Sequence, residues 1–532
     1  MSFPEIVTHR GVVVAPNGAV AASQPLAVSV GLRILMQGGT FADAAICTSA
    51  VLCVVEPWNS HLGGDAFVVS YDASRRETTA FNGSGAAPAS STPDAYTAGI
   101  PLHGPRAATV PGLVSVWGAL HKRFGSRPFA ELLAPAIAYA RDGFPAGPRL
   151  ARVADASRDT FAVCPDLARL GIDPDVRVGD TIRQPDLAWT LEQIAARGPS
   201  TFYSGPVAEK LTQAAHGHFS ASDFRAHRTR VSVPLSARYR DLTVWGQPPP
   251  SQGHILLQEL ALAEGFDLAT MNEADRTHVL VETKKLAFAD RNRYLADPEH
   301  AHVPISELLS PTYAQTRRAL IRLNHAAPDY EAGLENTGSD TTYFLVRDRE
   351  GNAVSFIQSI FHTWGSGFVA EGTGVLFNNR MTGFSTLPNS PNTLAPGKRP
   401  AHTLNAWLAT HADGQLAYVG GTPGAHIQVQ TSLQVLVNAL DGGMNPQAAI
   451  EAPRWQHIAA NTTASDPFGP GILEIEDRAG SELFTELARR GHEVRAIGPW
   501  AHGSAMQLLQ VLPDGVSAVG SDPRCDGQAG GW

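Results

Sequence analysis

Ser339-Asp340-Thr341-Thr342-Tyr343-Phe344-Leu345-Val346, followed by Arg347-Asp348-Arg349-Glu350-Gly351-Asn352 and Ala353-Val354-Ser355-Phe356-Ile357-Gln358-Ser359, reads as a polar lead-in, an apolar strand, a Gly/Asn turn and a second strand. Two strand-like runs around a glycine turn are the signal of a β-hairpin. Folding about Glu350-Gly351 brings Ser359 back to within a residue or two of Thr341. Two hydroxyls then meet at the start of a strand, behind a Gly338-Ser339-Asp340 lead-in. An ordinary buried strand has this composition. So does a site at which the Asp340–Thr341 bond breaks and frees Thr341 as a new N-terminus. The α-amine so formed, with an ordinary pKa of about 8, is a base for the hydroxyl of the same residue.

The run Thr341-Thr342-x-x-x-Val346-x-x-x-x-Gly351-Asn352-Ala353-Val354-Ser355 resembles the small-subunit signature of the γ-glutamyltranspeptidase family of N-terminal-nucleophile (Ntn) hydrolases. Further blocks match in family order across nearly the whole chain. They include Gly38-Gly39-Thr40-Phe41-Ala42-Asp43-Ala44-Ala45, Glu56-Pro57, Leu62-Gly63-Gly64-Asp65 and Val110-Pro111-Gly112. Ala287-Phe288-Ala289-Asp290-Arg291 with Tyr294, Gly397-Lys398-Arg399-Pro400 and Gly420-Gly421-Thr422-Pro423-Gly424 complete the set. The resemblance implies a fold of the α/β (α+β) class, the Ntn four-layer αββα sandwich, with additional helices from the N-terminal two-thirds. It also implies self-cleavage into a large subunit, 1–340, and a small subunit, 341–532, held together as one interleaved catalytic body. A homodimer of such processed heterodimers is compatible with it.

The bulk properties agree with one large body. No Ser/Gly, Pro-rich or charged linker interrupts the 532 residues, 43% of them hydrophobic and 17% charged. The net charge is −9 with no basic cluster, which argues against a nucleic-acid partner. Cys47, Cys53, Cys164 and Cys525 show neither metal-type pairing nor the density of a disulfide framework, and read as buried thiols of a reducing compartment. No run of about 18 apolar residues suggests a membrane span. Pro16-Asn17-Gly18 interrupts the only candidate for a secretory leader. The expected location is therefore cytoplasmic, although many bacterial γ-glutamyltranspeptidases are exported. The 19 histidines are scattered in sequence, so neither a metal nor a cofactor is expected.

Periodicity supplies the coarse elements. Val12–Ala22 reads as a strand pair, Pro25–Gln37 and Phe41–Val54 as helices, the second capped by Thr40, and Ala66–Tyr71 as a strand. Leu113–Phe124, Phe129–Asp142, Leu187–Arg197, Pro206–His216, Ser222–His227, Ile255–Phe266 and His278–Ala296 read as helices, with a short strand at Tyr239–Gly246. The charges of His278–Ala296 (Glu282, Lys284, Lys285, Asp290 and Arg291) read as a solvated face. Glu307–Glu335 reads as a polar tail leading to the cleavage point. Leu416–Gly421 is a strand that runs through a glycine loop into the helix Ile427–Leu440, a geometry that aims free N–H groups at an anion.

Carried onto this chain, the resemblance makes Thr341 the nucleophile and, through its α-amine, the base. The backbone N–H groups of Gly424 and Ala425 become the oxyanion donors. Ser359 takes the place of a threonine that hydrogen-bonds the nucleophile, and Thr342 is the second hydroxyl of the signature. Self-cleavage would use the same groups on the Asp340 carbonyl. The substrate side departs from the family pattern. Ser84 stands where an arginine grips the substrate α-carboxylate, and Gly383 where an aspartate holds the γ-glutamyl ammonium. Arg380 replaces a glutamine, His402 and Thr403 replace paired serines, Phe361 an asparagine and Tyr343 a histidine. With Asn379 beside Arg380, these residues form the expected substrate-binding set, in which Arg380 and His402 would meet an anion. The expected substrate is a small amide whose acyl part carries a carboxylate but no α-amino group, as for the oxamate amidohydrolases and glutaryl-type cephalosporin acylases of the wider family. The alternatives are a true γ-glutamyl hydrolase or transpeptidase, and a catalytically inactive scaffold of the same fold.

Overall fold

Alternating side chains along Asp340–Arg347 and Ala353–Phe361 form the expected hairpin, whose turn places Gly351 at a left-handed φ of 88°. The computed structural model describes residues 8–327, 340–458 and 471–532. In it the two strands lie inside a seven-stranded antiparallel sheet ordered Gln528–Gly531, Ala19–Ala22, Asp340–Arg347, Ala353–Phe361, Asp65–Asp72, Glu77–Asn82, Arg230–Ser232. A second antiparallel sheet of seven strands runs Val13–Ala15, Ser517–Ser521, Gln507–Val511, Leu416–Gly421, Trp407–His411, Leu242–Gly246, Leu235–Tyr239. Both sheets mix strands from before and after the Asp340–Thr341 bond, so neither part could form its sheets alone.

The two-residue period sorts the hairpin's side chains. Phe344, Val346, Val354 and Phe356 join the core shared with the helices Pro25–Met36 and Phe41–Val55. Tyr343, Leu345 and Ile357 point the other way and pack with Leu408, Val419 and Leu509 between the sheets. The sheets approach closely here: a Cβ on Gly421 would lie 2.4 Å from the Tyr343 ring. The helices Gly253–Ala263, Glu273–Tyr294 and Ile427–Leu440 supply side chains to the core on the outer face of the second sheet. The result is the four-layer helix–sheet–sheet–helix sandwich that was expected. Leu113–Phe124, Phe129–Asp142 and Pro185–Arg197 add an outer tier. The Phe41–Val55 helix is buried along its whole length, and the reciprocal capping box of Thr40 and Asp43 fixes its start.

Four expectations need correction. The strands at Val13–Ala15 and Ala19–Ala22 do not pair with each other but enter different sheets. The stretch before Gly246 is a hairpin, Leu235–Tyr239 with Leu242–Gly246, rather than one strand. Part of the polar tail is structured: Ile305–Leu308 and Pro311–Arg318 are helices, and Arg318 donates to the carbonyls of Leu262 (2.8 Å) and Ala261 (2.7 Å). Its last residues lie outside the described ones.

The largest correction concerns Glu273–Tyr294. Glu282, Lys284, Lys285, Asp290 and Arg291 are all buried, because other elements cover this helix on several sides. Their partners come mostly from elsewhere in the chain. Asp290 accepts from Gln258, from Tyr313 (2.9 Å) and from Arg317 (3.2 Å), and Lys284 sits 4.0 Å over the Phe288 ring. Lys285 pairs with Glu282 at 2.9 Å and also reaches the Ala327 carbonyl. Among the described residues no helix is long and apolar enough to cross a membrane.

Removing one partner of a buried pair leaves the other charge desolvated. Lys285→Ala should therefore cost about 3–5 kcal/mol in urea denaturation. A solvated face would lose less than about 0.5 kcal/mol.

Candidate active site

Thr341 sits at an irregularity in the hairpin. Asp340 is opposite Phe361 and Thr342 opposite Gln358, so Ser359 and Ile360 together face the single residue Thr341. This bulge turns the two hydroxyls toward each other, and Thr341 Oγ1 donates to Ser359 Oγ at 3.2 Å. Ser359 Oγ also accepts from the Phe361 backbone N–H at 2.8 Å. Both side chains are buried. Thr342 points toward the helix layer, where it donates to Glu56 Oε2 at 2.8 Å.

The loop between Leu416–Gly421 and Ile427–Leu440 holds two peptide groups by their carbonyls. Ala505 N–H donates to Thr422 Oγ1 (2.9 Å), which in turn donates to the Pro423 carbonyl (2.9 Å). The Gly424 carbonyl accepts from Ile427 N–H at 2.9 Å. A trans peptide points its N–H opposite to its C=O, so these contacts orient the N–H groups of Gly424 and Ala425. Among the described residues neither N–H donates to another protein group. Gly424 (φ 119°) and Ala425 (φ 47°) adopt left-handed conformations, a strain of the kind kept at functional loops. Gln252 locks the loop from below: its Nε2 donates to the carbonyls of Ala425 (2.9 Å) and Thr403 (2.8 Å).

A cavity of about 680 Å³ opens beside this loop. Gln252, Arg291, Phe361, His402, Thr403 and His426 form one side, and the segment 383–392 contributes another. Among the described lining residues there are two arginines and two histidines and no aspartate or glutamate. Arg291 lies in van der Waals contact over Phe288, with Nη1 2.7 Å from His426 Nδ1.

The expected substrate residues divide into two groups. Phe361, His402 and Thr403 line the cavity, as does Gly383. Arg380, Asn379 and Ser84 lie behind its wall. Arg380 is completely buried, its guanidinium 3.9 Å from the centre of the Phe361 ring, with Nη2 3.4 Å from Ser359 Oγ. Its countercharge is Asp65, 3.8 Å from Nε. Asp65 also faces His402 Nε2 (3.1 Å) and accepts the Gly85 N–H (3.0 Å). Burial pushes the Asp65 carboxyl up to about 7 and the Arg380 guanidinium down to about 9, each countered by the other's charge. Burial, then Arg380 and Arg399, hold His402 well below its ordinary value, so its ring is neutral. Leu404 N–H points at Nδ1, which leaves Nε2 as the protonated nitrogen facing Asp65. Arg380 and His402 thus serve Asp65 first, a partner the sequence reading left inside its Gly-Gly-Asp loop. Asn379 accepts the His362 N–H (3.1 Å), and Ser84 donates to Asn82 Oδ1 (2.6 Å). Both brace the wall.

Phe361 has φ 84°, which is unusual for a bulky residue and costs about 1–3 kcal/mol. Its N–H is held by Ser359 and its ring by Arg380, so the residue that faces Thr341 and the cavity wall are one unit. Sequence reading missed Gln252 and Arg291 on the wall, since both lie far in sequence from the hairpin. Arg291 stands in the Ala-Phe-Ala-Asp-Arg block, where its helical spacing alone reads as a solvated charge. The histidines are also less scattered in space than in sequence. His278, Glu282 and His492 come together, with His278 Nδ1 2.8 Å from His492 Nε2. Glu282 is already engaged by Lys285 and the Ala327 N–H, and none of the three lines the cavity.

The family description "Gamma-glutamyltranspeptidase" matches residues 27–532. A glutathione hydrolase-like proenzyme, YwrD, of Bacillus subtilis (strain 168) is 36% identical over 533 residues, covering 98% of this chain and 99% of that protein. An oxamate amidohydrolase proenzyme of Klebsiella pneumoniae is 35% identical over 534 residues, with the same coverage of both. Among solved structures, a cephalosporin acylase from Bacillus halodurans superposes with a TM-score of 0.91 at 36% identity, covering 100% of this chain and 98% of that one.

Gln252 is expected to act on rate through the loop it fixes. Gln252→Ala should lower kcat about 10–100-fold, the cost of misplacing a donor of the expected oxyanion pair. Steady-state kinetics showing less than about a twofold change would remove Gln252 from the machinery.

Proposed function

Since the chain belongs to the γ-glutamyltranspeptidase family and is an amide hydrolase of the Ntn class, we propose that Thr341 is its nucleophile after self-cleavage at Asp340–Thr341. The observation that carries this reading is the bulge that seats Thr341 Oγ1 against Ser359 Oγ. In self-cleavage Thr341 Oγ adds to the Asp340 carbonyl, and the hydroxyl proton passes to the departing amide nitrogen. Water then hydrolyses the ester. Asp340 leaves as a carboxylic acid and the Thr341 hydroxyl is restored, now with a free α-amine. The resulting pieces, 1–340 and 341–532, stay interleaved through both sheets.

Turnover repeats this chemistry on a substrate amide. The Thr341 α-amine takes the hydroxyl proton and delivers it to the leaving amine, while the N–H groups of Gly424 and Ala425 stabilise the oxyanion. Ser359 orients the nucleophile, and Thr342 anchors its strand from the helix side.

We further propose an acyl group that carries a carboxylate and no α-ammonium. A cavity lined by Arg291, Arg293, His402 and His426, with no acidic side chain among its described lining, supports this. Two relatives, an oxamate amidohydrolase and a cephalosporin acylase, are compatible with it. A γ-glutamyl substrate would bury an ammonium with no carboxylate to receive it, at a cost of about 3 kcal/mol. The four buried thiols fit a cytoplasmic location.

A panel of p-nitroanilides tests the acyl preference. The glutaryl compound should exceed the γ-glutamyl compound in kcat/KM by about 100-fold, the equivalent of that penalty. Equal or better turnover of γ-glutamyl-p-nitroanilide would overturn the proposed pocket.

A further inference from the structure

Beneath the nucleophile strand, three side-chain oxygens from distant parts of the chain form a closed triangle. Ser23 follows the strand Ala19–Ala22, Glu56 ends the helix Phe41–Val55, and Thr342 is the residue after the nucleophile. Ser23 Oγ lies 2.6 Å from Thr342 Oγ1 and 2.7 Å from Glu56 Oε2, and Thr342 Oγ1 lies 2.8 Å from the same Oε2. All three residues are buried.

The triangle poses a proton-counting problem. Each short O···O contact needs one proton, and the two hydroxyls supply one apiece. An ionised carboxylate supplies none, so one contact would set lone pair against lone pair at close range. A carboxylic acid supplies the third proton and closes the ring: Glu56 O–H to Ser23, Ser23 O–H to Thr342, and Thr342 O–H back to Glu56.

We propose that Glu56 is a positioning residue that works as a neutral carboxylic acid, its proton completing the ring that holds Thr342 and thereby aims Thr341. The inference rests on Thr341 being the nucleophile and adds the device that places it. Burial pushes the Glu56 carboxyl upward, opposed by the Ser23 and Thr342 hydrogen bonds and by Arg149, and reinforced by Asp526. Arg149 comes from the helix Pro148–Ala156, and Asp526 and Cys525 from the C-terminal loop, so the ionisable groups facing Glu56 include both signs of charge. The neighbouring register position is pinned from the same side: Gln358, opposite Thr342, donates to Ser60 Oγ at 2.9 Å and meets Ser49. Both residues that flank the Thr341–Ser359 bulge are therefore tied to the first helix layer and its following loop.

The test compares Glu56→Ala, Glu56→Gln and Thr341→Ala in the full chain. Self-cleavage is followed on denaturing gels, kcat and KM are measured against pH, and thermal melts check folding. Glu56→Ala should slow self-cleavage and kcat about 100-fold with little change in KM, as expected of a misaimed nucleophile. An amide also donates protons, so Glu56→Gln should recover most of that loss. Wild-type kcat should fall as rising pH ionises Glu56, and Glu56→Gln should lack that fall. The acid limb, set by the Thr341 α-amine, should be common to both. If Glu56→Gln is as impaired as Glu56→Ala, or keeps that fall, Glu56 does not act as an acid and the proposal is overturned. If Glu56→Ala does not fold, the Glu56→Gln profile decides alone. Thr341→Ala separates the two layers: retained turnover sinks the nucleophile assignment itself, whereas its loss alongside an impaired Glu56→Gln sinks only the role of Glu56.

Discussion

A contact of 3.2 Å between the hydroxyls of Thr341 and Ser359 governs how the rest of the molecule is used. In a regular hairpin each residue faces one partner and side chains alternate strictly between faces. Here two residues of the return strand oppose one, and that departure brings both hydroxyls to the inter-sheet side beside the cavity wall. The neighbouring residues Thr342 and Gln358 point the opposite way into polar networks on the helix side. The site is thus held from both faces of one strand pair. The strain at Phe361 belongs to the same arrangement, since its N–H binds Ser359 and its ring covers Arg380.

Charge is divided across that wall. Behind it, Asp65 answers Arg380 and orders a neutral His402, so the buried positive charge is balanced before any substrate arrives. In front of it, the cavity offers arginine and histidine without a described carboxylate. The proposed acyl group, with its own carboxylate and no ammonium, matches such a space. Gln252 also ties the Thr403 carbonyl on the cavity side to the Ala425 carbonyl in the loop proposed to hold the oxyanion.

The parts of this arrangement visible in the sequence were those encoded locally. The turn at Gly351, the helix cap at Thr40 and the strand–loop–helix run into Ile427–Leu440 are set by neighbours in the chain, and they formed where the residue patterns placed them. The family signature brought Thr341, Ser359, Gly424 and Ala425 into one discussion, although only the fold gives them relative positions. What stayed hidden depends on partners remote in sequence. Glu282, Lys285 and Asp290 look like a solvated stripe until Ala327, Gln258, Tyr313 and Arg317 fold over them. Asp65 is 315 residues from Arg380, and nothing in the Gly-Gly-Asp loop announces that pair. The extra residue in the return strand is equally silent, since a bulge shifts register without changing composition.

The most direct measurement is intact mass spectrometry of catalytically active enzyme under denaturing conditions, with sequencing of every N-terminus. Two chains are expected, and the shorter should begin at Thr341 and end at Trp532. Full activity in a preparation containing only the unbroken polypeptide would contradict the self-generated nucleophile and the mechanism built on it.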